Sequence, residues 1–343
     1  MTIPIAVPDY YVYCRLVLLF SSVLPPAVLQ AQQNAPGYLS VIAENDIFAP
    51  QGQDRHYTNG ARIGWGLQDK DTGWYSSLGR TLLPGSDNQT RRYELAFGQN
   101  IYTPQFYITS RPIPRDRPYA GWLYGELSAS THRPGRTSDI SLNLGIVGPA
   151  ALGKPVQKLI HELIDDPEPA GWDNQLGNEP ALLLRYRHSW FLPLFETGPV
   201  QTDMIGRLGF NLGNVFTDAG IGTALRIGNY LPEQDLPVRI QPGLSGGSSY
   251  MPIRPQQFDW MLFADIQGRI VAHNIFLDGN TFKDSMSVDK RTLVHDLATG
   301  IVLGFGQFNV PFFVSFTLVW RGREFDIQRG SNSFGSAVIG IQY

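Results

Sequence analysis

The chain has almost no cysteine. Its single cysteine, Cys14, lies in a stretch with the features of a secretory signal peptide, in which Arg15 precedes an apolar run and a small-residue site ends at Ala31. Residues 1–31 are therefore predicted to be removed, which leaves 32–343 as a mature chain without a thiol. A secreted chain without cysteine excludes thiol catalysis, disulfides and cysteine-ligated metals.

The chain also has little net charge and no long apolar run. A formal net charge of −3 does not indicate the basic surface that nucleic-acid binding requires. After the signal peptide, no segment reaches the roughly 20 consecutive apolar residues of a membrane-spanning helix, so a helical membrane protein is excluded. Aromatic residues make up 12% of the chain and 36 residues are glycine, a mixture typical of strands and turns. These observations indicate an exported, β-rich protein.

Alternation of side-chain character predicts long strands with two different faces. In the segment FDWMLFADIQGRI, Leu262, Ile266 and Ile270 fall on one face, whereas Asp259 and Asp265 fall on the other. A soluble β-sandwich alternates in the same way and is the alternative. Strands of this length, with apolar faces that end in aromatic residues, favour a barrel that crosses the outer membrane.

Twelve strands are predicted, an even number as in bacterial single-chain barrels. They span 37–45, 57–68, 91–101, 120–131, 138–148, 177–191, 201–212, 219–228, 258–271, 291–306, 311–322 and 334–343. The last strand, SAVIGIQY, must pair with the first, because an open sheet edge in lipid leaves backbone groups unsatisfied. The predicted fold is a single all-β domain, a twelve-stranded antiparallel outer-membrane β-barrel with a short loop helix.

That helix is predicted in the connection between the fifth and sixth strands. The segment AALGKPVQKLIHELIDD (150–166) has apolar residues at helical spacing, Pro155 in its first turn and Pro167 after its end. It carries His161. The other longer connections are 69–90, 102–119, 229–257 and 272–290, and the Gly, Ser and Pro content of GLSGGSSYMPIRP predicts a loop with no phosphate-binding helix after it.

An unusual group of polar residues lies between two apolar stretches in ENDIFAPQGQDRHYTNGARIGW (44–65). Its members are Asn45, Asp46, Asp54, Arg55, His56, Thr58 and Asn59. The motifs ENDIF, DRHYTNG, RDRPYAGW, GIVGPAALGKPVQKLIHELI and GWDNQLGNEP follow in order, and together they resemble the outer-membrane lipid A deacylase family, the lipid A 3'-O-deacylases, over essentially the whole mature chain. The resemblance implies a calcium-dependent hydrolysis of the 3'-linked acyloxyacyl ester of lipid A, at a site between barrel and loops near the outer leaflet.

The resemblance also implies roles for individual residues. His161 occupies the position of the general base, Asn45 and Asp46 match an Asn-Asp pair, and Thr58 matches a threonine of the family. The chemistry is consistent, because a histidine can activate water near neutral pH. A hard cation held by Asp46, Asn45 and backbone carbonyls could polarise the ester, or Asn45 or Thr58 could donate to the oxyanion. These options stay open.

Arg117 either binds a lipid A phosphate by bidentate hydrogen bonds or pairs with Asp116 to brace the barrel lumen, and bracing is slightly favoured. The cationic residue that the family uses near its ester has no clear counterpart in this sequence, and Arg111 is the nearest candidate. Trp172, Gln175 and Asn178 match a segment expected to support the loop that carries His161. The expected partners are lipid A or lipopolysaccharide and outer-membrane lipids, and the protein is expected to be a monomer.

Two other functions compete with the deacylase. A non-catalytic barrel could serve as a small channel or scaffold, although a twelve-stranded barrel filled with side chains conducts poorly. A phospholipase-type barrel esterase would need a nucleophilic serine; His188 and Ser189 are adjacent on a strand, but adjacent residues point to opposite faces. His56 is a weaker alternative to His161 as the base. The absence of a Gly-x-Ser-x-Gly elbow favours activated water over a covalent intermediate.

Overall fold

The structure is a computed structural model. It describes residues 37–49, 56–67, 73–83, 90–165, 167–240, 242–244 and 248–343. The predicted signal peptide at 1–31, and Asp54 and Arg55 of the polar group, lie outside these residues.

Twelve antiparallel strands form a closed barrel. They are β1 Tyr38–Asn45, β2 His56–Leu67, β3 Thr90–Thr103, β4 Ala120–Arg133, β5 Arg136–Val147, β6 Glu179–Thr197, β7 Val200–Gly213, β8 Phe216–Gly228, β9 Phe258–Asn274, β10 Leu293–Phe305, β11 Phe312–Arg321 and β12 Asn332–Gln342. Each strand pairs with its neighbour in sequence, and β12 closes on β1 with Tyr38 opposite Gln342. The predicted strand number, order and closure are confirmed.

The two faces of the barrel wall differ in chemistry, as the alternation predicts. In β9, Asp259, Asp265 and Gln267 are buried in the lumen, whereas Ile266 and Ile270 are 52% and 60% exposed on the outside. A soluble protein would bury the apolar face. Here the apolar face is outermost because lipid covers it in a membrane barrel.

The lumen is filled with paired charges. Inward-facing arginines meet carboxylates of strands one or two positions away in the pairs Arg62–Glu94, Arg62–Glu126, Arg207–Asp265, Arg226–Asp203, Arg269–Asp218 and Arg321–Asp296. Each partner supplies the charge that a buried ion needs in a low-dielectric interior. Ion pairs in the lumen thus connect strands in addition to the backbone hydrogen bonds of the wall.

The connection 229–257 between β8 and β9 also enters the lumen, and we call it the plug. Its residues Leu236, Ile240 and Met251 are buried, and the backbone N–H of Ile240 donates to Glu44 of β1 at 2.8 Å. Arg226 donates to the carbonyl of Gln234 at 2.8 Å and so attaches the plug to the wall. The sequence predicts this segment correctly as a loop, but its position inside the barrel is a tertiary result.

The two ends of the barrel carry different connections. We call the end where β1 begins and β12 finishes the terminal end; it carries the short hairpins 134–135 and 198–199, the connection between β2 and β3, and the start and finish of the plug. The opposite end, which we call the loop end, carries the connections 104–119, 148–178 and 275–292. Outer-membrane barrels have short turns on the periplasmic side and longer loops outside the cell.

Among the described residues, three α-helices lie in the connections between strands: α1 Trp74–Leu82, α2 Gly153–Ile164 and α3 Ile275–Asp278. Helix α2 confirms the predicted helix, and the sequence did not predict α1 and α3. Helix α1 begins after Gly73, which makes no side-chain cap, so the usual start signal is missing. It packs on the outside of the barrel, where the Tyr93 hydroxyl donates to the Ser76 carbonyl at 3.3 Å. Within the described residues, no helix is long and apolar enough to cross a bilayer.

The short helix α3 starts the connection between β9 and β10. Asn274 caps it by accepting a hydrogen bond from the backbone N–H of Phe276 at 3.0 Å. Burial acts to raise the pKa of Asp278, but hydrogen bonds from His273 and Lys290 outweigh burial and lower it. The carboxylate of Asp278 therefore stays charged and holds this connection to the end of β9.

Candidate functional site

The first predicted site residues lie where β1 ends at the loop end. The side-chain oxygen of Asn45 accepts a hydrogen bond from the backbone N–H of Ile47 at 2.8 Å and so caps a short 3-10 turn that begins at Asp46. The Asn45 amide also lies 3.5 Å from the side-chain oxygen of Asn59 on β2. Asp46 is 1% exposed. The cap therefore fixes an amide and a carboxylate side by side at the rim of the wall.

Thr58 is placed by a β-bulge in β2. Tyr57 pairs with Tyr102 and Asn59 with Ile101, which leaves Thr58 as an extra residue in the strand. Tyr57 points into the lumen, where its hydroxyl donates to Glu44 at 2.8 Å. Bulges bend a strand and redirect its side chains, and they are frequent beside active sites. This bulge is why Asn59 lies on the outer face, opposite Asn45.

The Thr58 hydroxyl lies on the same outer face. Its oxygen is 2.6 Å from the hydroxyl oxygen of Thr103, the last residue of β3. Thr103 follows Tyr102, which points inward, so alternation places Thr103 outside. The two hydroxyls link the ends of β2 and β3.

Helix α2 lies against the outer face of β3 and β4 at the loop end. Residues spaced four apart, Gly153, Gln157 and His161, form its buried stripe. The side chain of Gln99, on the outer face of β3, donates to the carbonyl of Ala151 at 2.6 Å and ties the turn before the helix to the wall. The stripe that carries His161 therefore faces the barrel and not the solvent.

A close backbone approach sets the position of α2. A Cβ on Gly153 would lie 2.5 Å from the Trp172 ring and 3.2 Å from the Cα of Gly121 on β4. No side chain larger than hydrogen fits between helix and wall at this point without a shift. Leu159 and Leu163 lie on another stripe of α2 and are 55% and 43% exposed, so this stripe continues the apolar outer surface of the barrel.

His161 is buried and oriented by two contacts. Its Nδ1 lies 2.6 Å from the carbonyl oxygen of Pro167, and its ring meets the Tyr107 ring edge to face with the centroids 5.6 Å apart. A carbonyl can only accept, so Nδ1 carries the proton and Nε2 of the neutral ring keeps its lone pair. His161 is 3% exposed. This arrangement is suitable for a general base.

The residues predicted to support the His161 loop do contact it. The Trp172 indole N–H donates to the Gln157 side-chain oxygen at 2.8 Å, and the Asn178 side chain accepts from the backbone N–H of Ala150 at 2.8 Å. The backbone N–H of Gln175 donates to the Trp172 carbonyl at 3.2 Å. Trp172 is 1% exposed. Trp172 thus contacts the buried stripe of α2, and Asn178 contacts the turn before the helix.

Arg117 is engaged in the interior of the barrel. Its guanidinium donates to Glu324 at 2.9 Å and to the carbonyl of His56 at 3.1 Å, and the residue is 0% exposed. The contacts favour the bracing interpretation, with Glu324 as the partner of the guanidinium; Asp116 instead accepts from the Arg117 backbone N–H at 2.8 Å. Phosphate binding by Arg117 stays a prediction.

The remaining candidate residues, Arg111 and His56, lie in different parts of the structure. Arg111 is exposed in the connection 104–119, whose Ser110 carbonyl accepts from the Asn174 side chain at 2.9 Å. His56 is buried, with its ring edge-on to Phe325 and the centroids 5.5 Å apart. Arg111 therefore lies beside the loop that carries His161, whereas His56 packs against the connection between β11 and β12.

His188 and Ser189 point to opposite faces, as expected. The Ser189 hydroxyl donates to Asp235 of the plug at 2.8 Å, whereas His188 Nδ1 lies 2.7 Å from the hydroxyl of Ser138. The adjacent pair is not a dyad. Its two members belong to the lumen and to the outer face.

The predicted residues thus lie on neighbouring strand ends. Asn45, Asp46 and Thr58 lie where β1 and β2 meet, and His161 lies on the helix over β3 and β4. Sequence reasoning missed Thr103, which contacts Thr58, Tyr107, which contacts His161, and Gln157, which contacts Trp172. No local pattern could identify them, because each contact joins residues that are distant in the chain.

The donor atoms near Asp46 decide which metal could fit. In the described part of the chain, no group of three or more His, Cys, Asp or Glu residues could hold a metal ion. Calcium, however, takes carboxylate, amide and carbonyl oxygens together. The Asp46 carboxylate beside the Asn45 amide oxygen fits calcium in its donor chemistry, provided that neutral oxygens complete the site.

Comparisons with known proteins agree with this architecture. A family model described as "Outer membrane protein LpxR" matches residues 14–343. Among solved structures, LpxR from Salmonella typhimurium has a TM-score of 0.70 and 20% sequence identity, over 89% of this chain and 100% of that chain. That likeness shows a shared fold.

More distant barrels are also similar. The beta domain of the Bordetella autotransporter Brka has a TM-score of 0.42 and 9% identity, over 90% of this chain and 98% of that one. The translocator domain of the autotransporter NalP from Neisseria meningitidis has a TM-score of 0.41 and 9% identity, over 97% and 96%. A search of curated protein sequences gave no significant match.

Proposed function

Because the chain belongs to the LpxR outer membrane protein family, we propose that it is a lipid A deacylase, an ester hydrolase that removes the 3'-linked acyloxyacyl group of lipid A. One structural observation supports the proposal in addition to family membership. His161 is a buried imidazole whose Nδ1 is held by the Pro167 carbonyl at 2.6 Å. It lies on a helix packed against the outer, lipid-facing wall of the barrel.

The position of this site suits a lipid substrate. Asn45, Thr58 and His161 lie on the outer side of the wall and not in the lumen, which ion pairs and the plug fill. We assign the loop end to the outside of the cell, because it carries the connections 104–119, 148–178 and 275–292, whereas the short hairpins 134–135 and 198–199 lie at the other end. A lipid of the outer leaflet can thus reach the site laterally, without leaving the membrane.

Each residue of the candidate site has its own role in the proposed ester hydrolysis. Nε2 of His161 accepts a proton from water as the water attacks the ester carbonyl, and the Nδ1 proton on the Pro167 carbonyl keeps the ring in the required tautomer. The developing oxyanion needs a donor, which the Asn45 amide or the Thr58 hydroxyl supplies. The base then returns the proton to the leaving alkoxide. No covalent intermediate with the enzyme is needed.

Calcium is part of the proposal. Asp46 and Asn45 would hold it, together with backbone carbonyl oxygens, and when bound it supplies positive charge that polarises the ester carbonyl. Arg111, exposed beside the site loop, would then meet a phosphate of the sugar backbone.

The test is mass spectrometry of lipid A from Gram-negative cells that express the chain, repeated on isolated membranes with calcium and with a chelator. We expect a mass loss equal to an acyloxyacyl group. His161→Ala should lower the rate about 10²- to 10⁴-fold, the usual contribution of a general base. The matched control is His295→Ala, because His295 is an exposed histidine on the outer face of β10.

The outcomes separate the competing functions. Loss of activity in His161→Ala and in chelator, with full activity in His295→Ala, supports the deacylase. Unchanged lipid A from a folded, calcium-supplied barrel contradicts it. Phospholipid cleavage under the same conditions would instead favour a phospholipase.

A further inference from the structure

A second feature of the outer wall lies at the terminal end, far along the strands from His161. Arg133 and Arg136 face each other across the two-residue hairpin between β4 and β5. Arg91 is in the next outward row, opposite Thr131, and one of its guanidinium N–H groups donates to the Leu83 carbonyl at 2.9 Å. Strand alternation places all three on the outer face, since Leu123 of β4 and Leu144 of β5 are exposed there in the same phase.

Hydrogen-bonding side chains continue this cationic surface onto β6. Ser138 is opposite His188 and Arg136 is opposite Trp190 in the register of β5 and β6. The Ser138 hydroxyl lies 2.7 Å from His188 Nδ1, and Trp190 is 44% exposed. An arginine, an imidazole, a hydroxyl and a tryptophan thus share one small area at the membrane boundary, where amphipathic side chains are usual.

The charged side chains on this part of the outer wall are mainly arginines. The outer faces of β3, β4 and β5 carry no carboxylate. Glu233 of the plug supplies one carboxylate at the hairpin, where it accepts the backbone N–H of Gly135 at 2.9 Å. Arg136 is exposed and forms no ion pair or side-chain hydrogen bond with any residue that the structure describes. Like charges directly opposite each other repel, and a bound anion would reduce the repulsion between Arg133 and Arg136.

An apolar groove lies next to the arginines. Helix α1 covers part of the outer wall, and its residues Leu78 and Leu82 line the groove together with Leu127, Ile140 and Leu142 of β4 and β5. Trp74 at the start of α1 is 69% exposed. A short helix with exposed apolar residues, lying along a membrane barrel at one rim, is suited to the boundary between headgroups and acyl chains.

We propose that this surface, formed by Arg91, Arg133, Arg136, Ser138 and His188 with the groove beside α1, binds an anionic phospholipid of the leaflet at the terminal end. The phosphate lies between the arginines, which can donate to it in bidentate fashion. An acyl chain lies in the groove against α1. The groove is continuous with the lipid-facing belt, so a membrane lipid is the occupant to which it is already exposed.

The test is native mass spectrometry of the full chain, delipidated in detergent and titrated with phosphatidylglycerol or with phosphatidylcholine of the same acyl chains. We expect at least a five-fold preference for phosphatidylglycerol that weakens as salt is raised. Arg133→Gln/Arg136→Gln should reduce phosphatidylglycerol binding to the phosphatidylcholine level. The matched control is Arg323→Gln/Arg329→Gln, which removes the same charge from exposed positions at the loop end.

A second variant tests the groove separately. Leu142→Trp fills it with a larger side chain and should lower phosphatidylglycerol binding several-fold without removing any charge. Soluble glycerol phosphate should not displace the bound lipid at equal concentration, because it has no acyl chain.

Three results would overturn the proposal. They are equal binding of the two lipids, equal losses in the two double variants, and displacement by glycerol phosphate. Migration of the unheated protein on a gel confirms that each variant forms the barrel before its binding is measured. The measurement does not depend on ester hydrolysis, so failure of this proposal and failure of the deacylase are separate results.

Discussion

At the scale of single residues, the candidate site depends on side chains whose orientation is fixed by hydrogen bonds. The carbonyl of Pro167 accepts from His161 Nδ1 and so fixes the ring in one tautomer. Thr58 is held by another hydroxyl, that of Thr103. Either oxygen of that pair can be the donor, so the Thr58 proton is available to a third group when Thr103 donates to it.

Replacement of Thr58 by valine tests whether its hydroxyl is the oxyanion donor. Valine keeps the shape of threonine, so the barrel should form, although loss of the bond to Thr103 costs about 1–3 kcal/mol. If Thr58 donates to the oxyanion, the deacylation rate falls about 10²- to 10³-fold. Thr103→Val removes the same hydrogen bond and should lower the rate far less.

The measurement is the initial rate of lipid A deacylation, compared between the two variants at matched amounts of folded protein. Near-normal activity of Thr58→Val would assign the donor role to Asn45 instead. Equal losses in both variants would mean that the hydroxyl pair only supports the structure.

At the scale of elements, the decisive contact is that between α2 and the wall. The helix buries a stripe of small and polar residues and leaves leucines outside, the reverse of a helix in a soluble protein. Gly153 allows this inversion, because its missing side chain lets the helix backbone approach Gly121. His161 lies two turns further along the same stripe, so a shift of the helix moves the base.

Gly153→Ala is therefore expected to lower activity without unfolding the barrel. The added Cβ would meet the Trp172 ring at 2.5 Å and the Gly121 backbone at 3.2 Å, and neither can move freely. The matched control is Gly268→Ala on β9, where a Cβ would meet nothing within 4 Å.

Lipid A deacylation and the thermal stability of the barrel are measured for both variants. We expect a rate at least ten-fold lower for Gly153→Ala, unchanged activity for Gly268→Ala, and similar stability for both. Full activity of Gly153→Ala would show that the position of α2 does not control the base.

At the scale of the whole molecule, ion pairs and the plug fill the lumen that the described residues enclose, so they connect the wall of the barrel and leave no open channel there. Arg226 shows how this works, since its guanidinium donates to Asp203 of the wall and to the carbonyls of Pro232 and Gln234 in the plug. A filled lumen weakens the channel alternative. It also leaves the outer face as the surface available to a lipid substrate under the proposed function.

Arg226→Met is expected to destabilise the barrel and loosen the plug. Removing one partner of a buried pair leaves the Asp203 charge uncompensated, which costs about 3–5 kcal/mol. Arg254→Met is the control, because Arg254 of the same connection pairs with Asp259 but has a side chain 31% exposed. The temperature at which the barrel loses its compact migration on a gel should fall clearly for Arg226→Met and little for Arg254→Met.

Susceptibility of residues 229–257 to added protease provides a second readout. Cleavage there should accelerate only in Arg226→Met. If the two variants behave alike, the plug is held by its apolar residues and not by Arg226.

The sequence by itself determined the architecture, and tertiary structure decided how the site is assembled. Strand number, order and closure followed from a side-chain period of two and from the need to satisfy backbone groups in lipid. The helix with His161 followed from its own apolar spacing. These are local or repetitive signals, which a single sequence contains.

Other features depend on contacts between distant segments. The bulge that brings Thr58 to the outer face has no distinct local signature, because Asn59-Gly60 also resembles a hairpin turn. The partner of the Arg117 guanidinium is Glu324, two hundred residues away, and not its neighbour Asp116. The sequence predicts the plug only as a loop, and its position inside the lumen depends on the closed barrel. In each case the chain offers several possible partners, and only the closed barrel brings one of them within hydrogen-bonding distance.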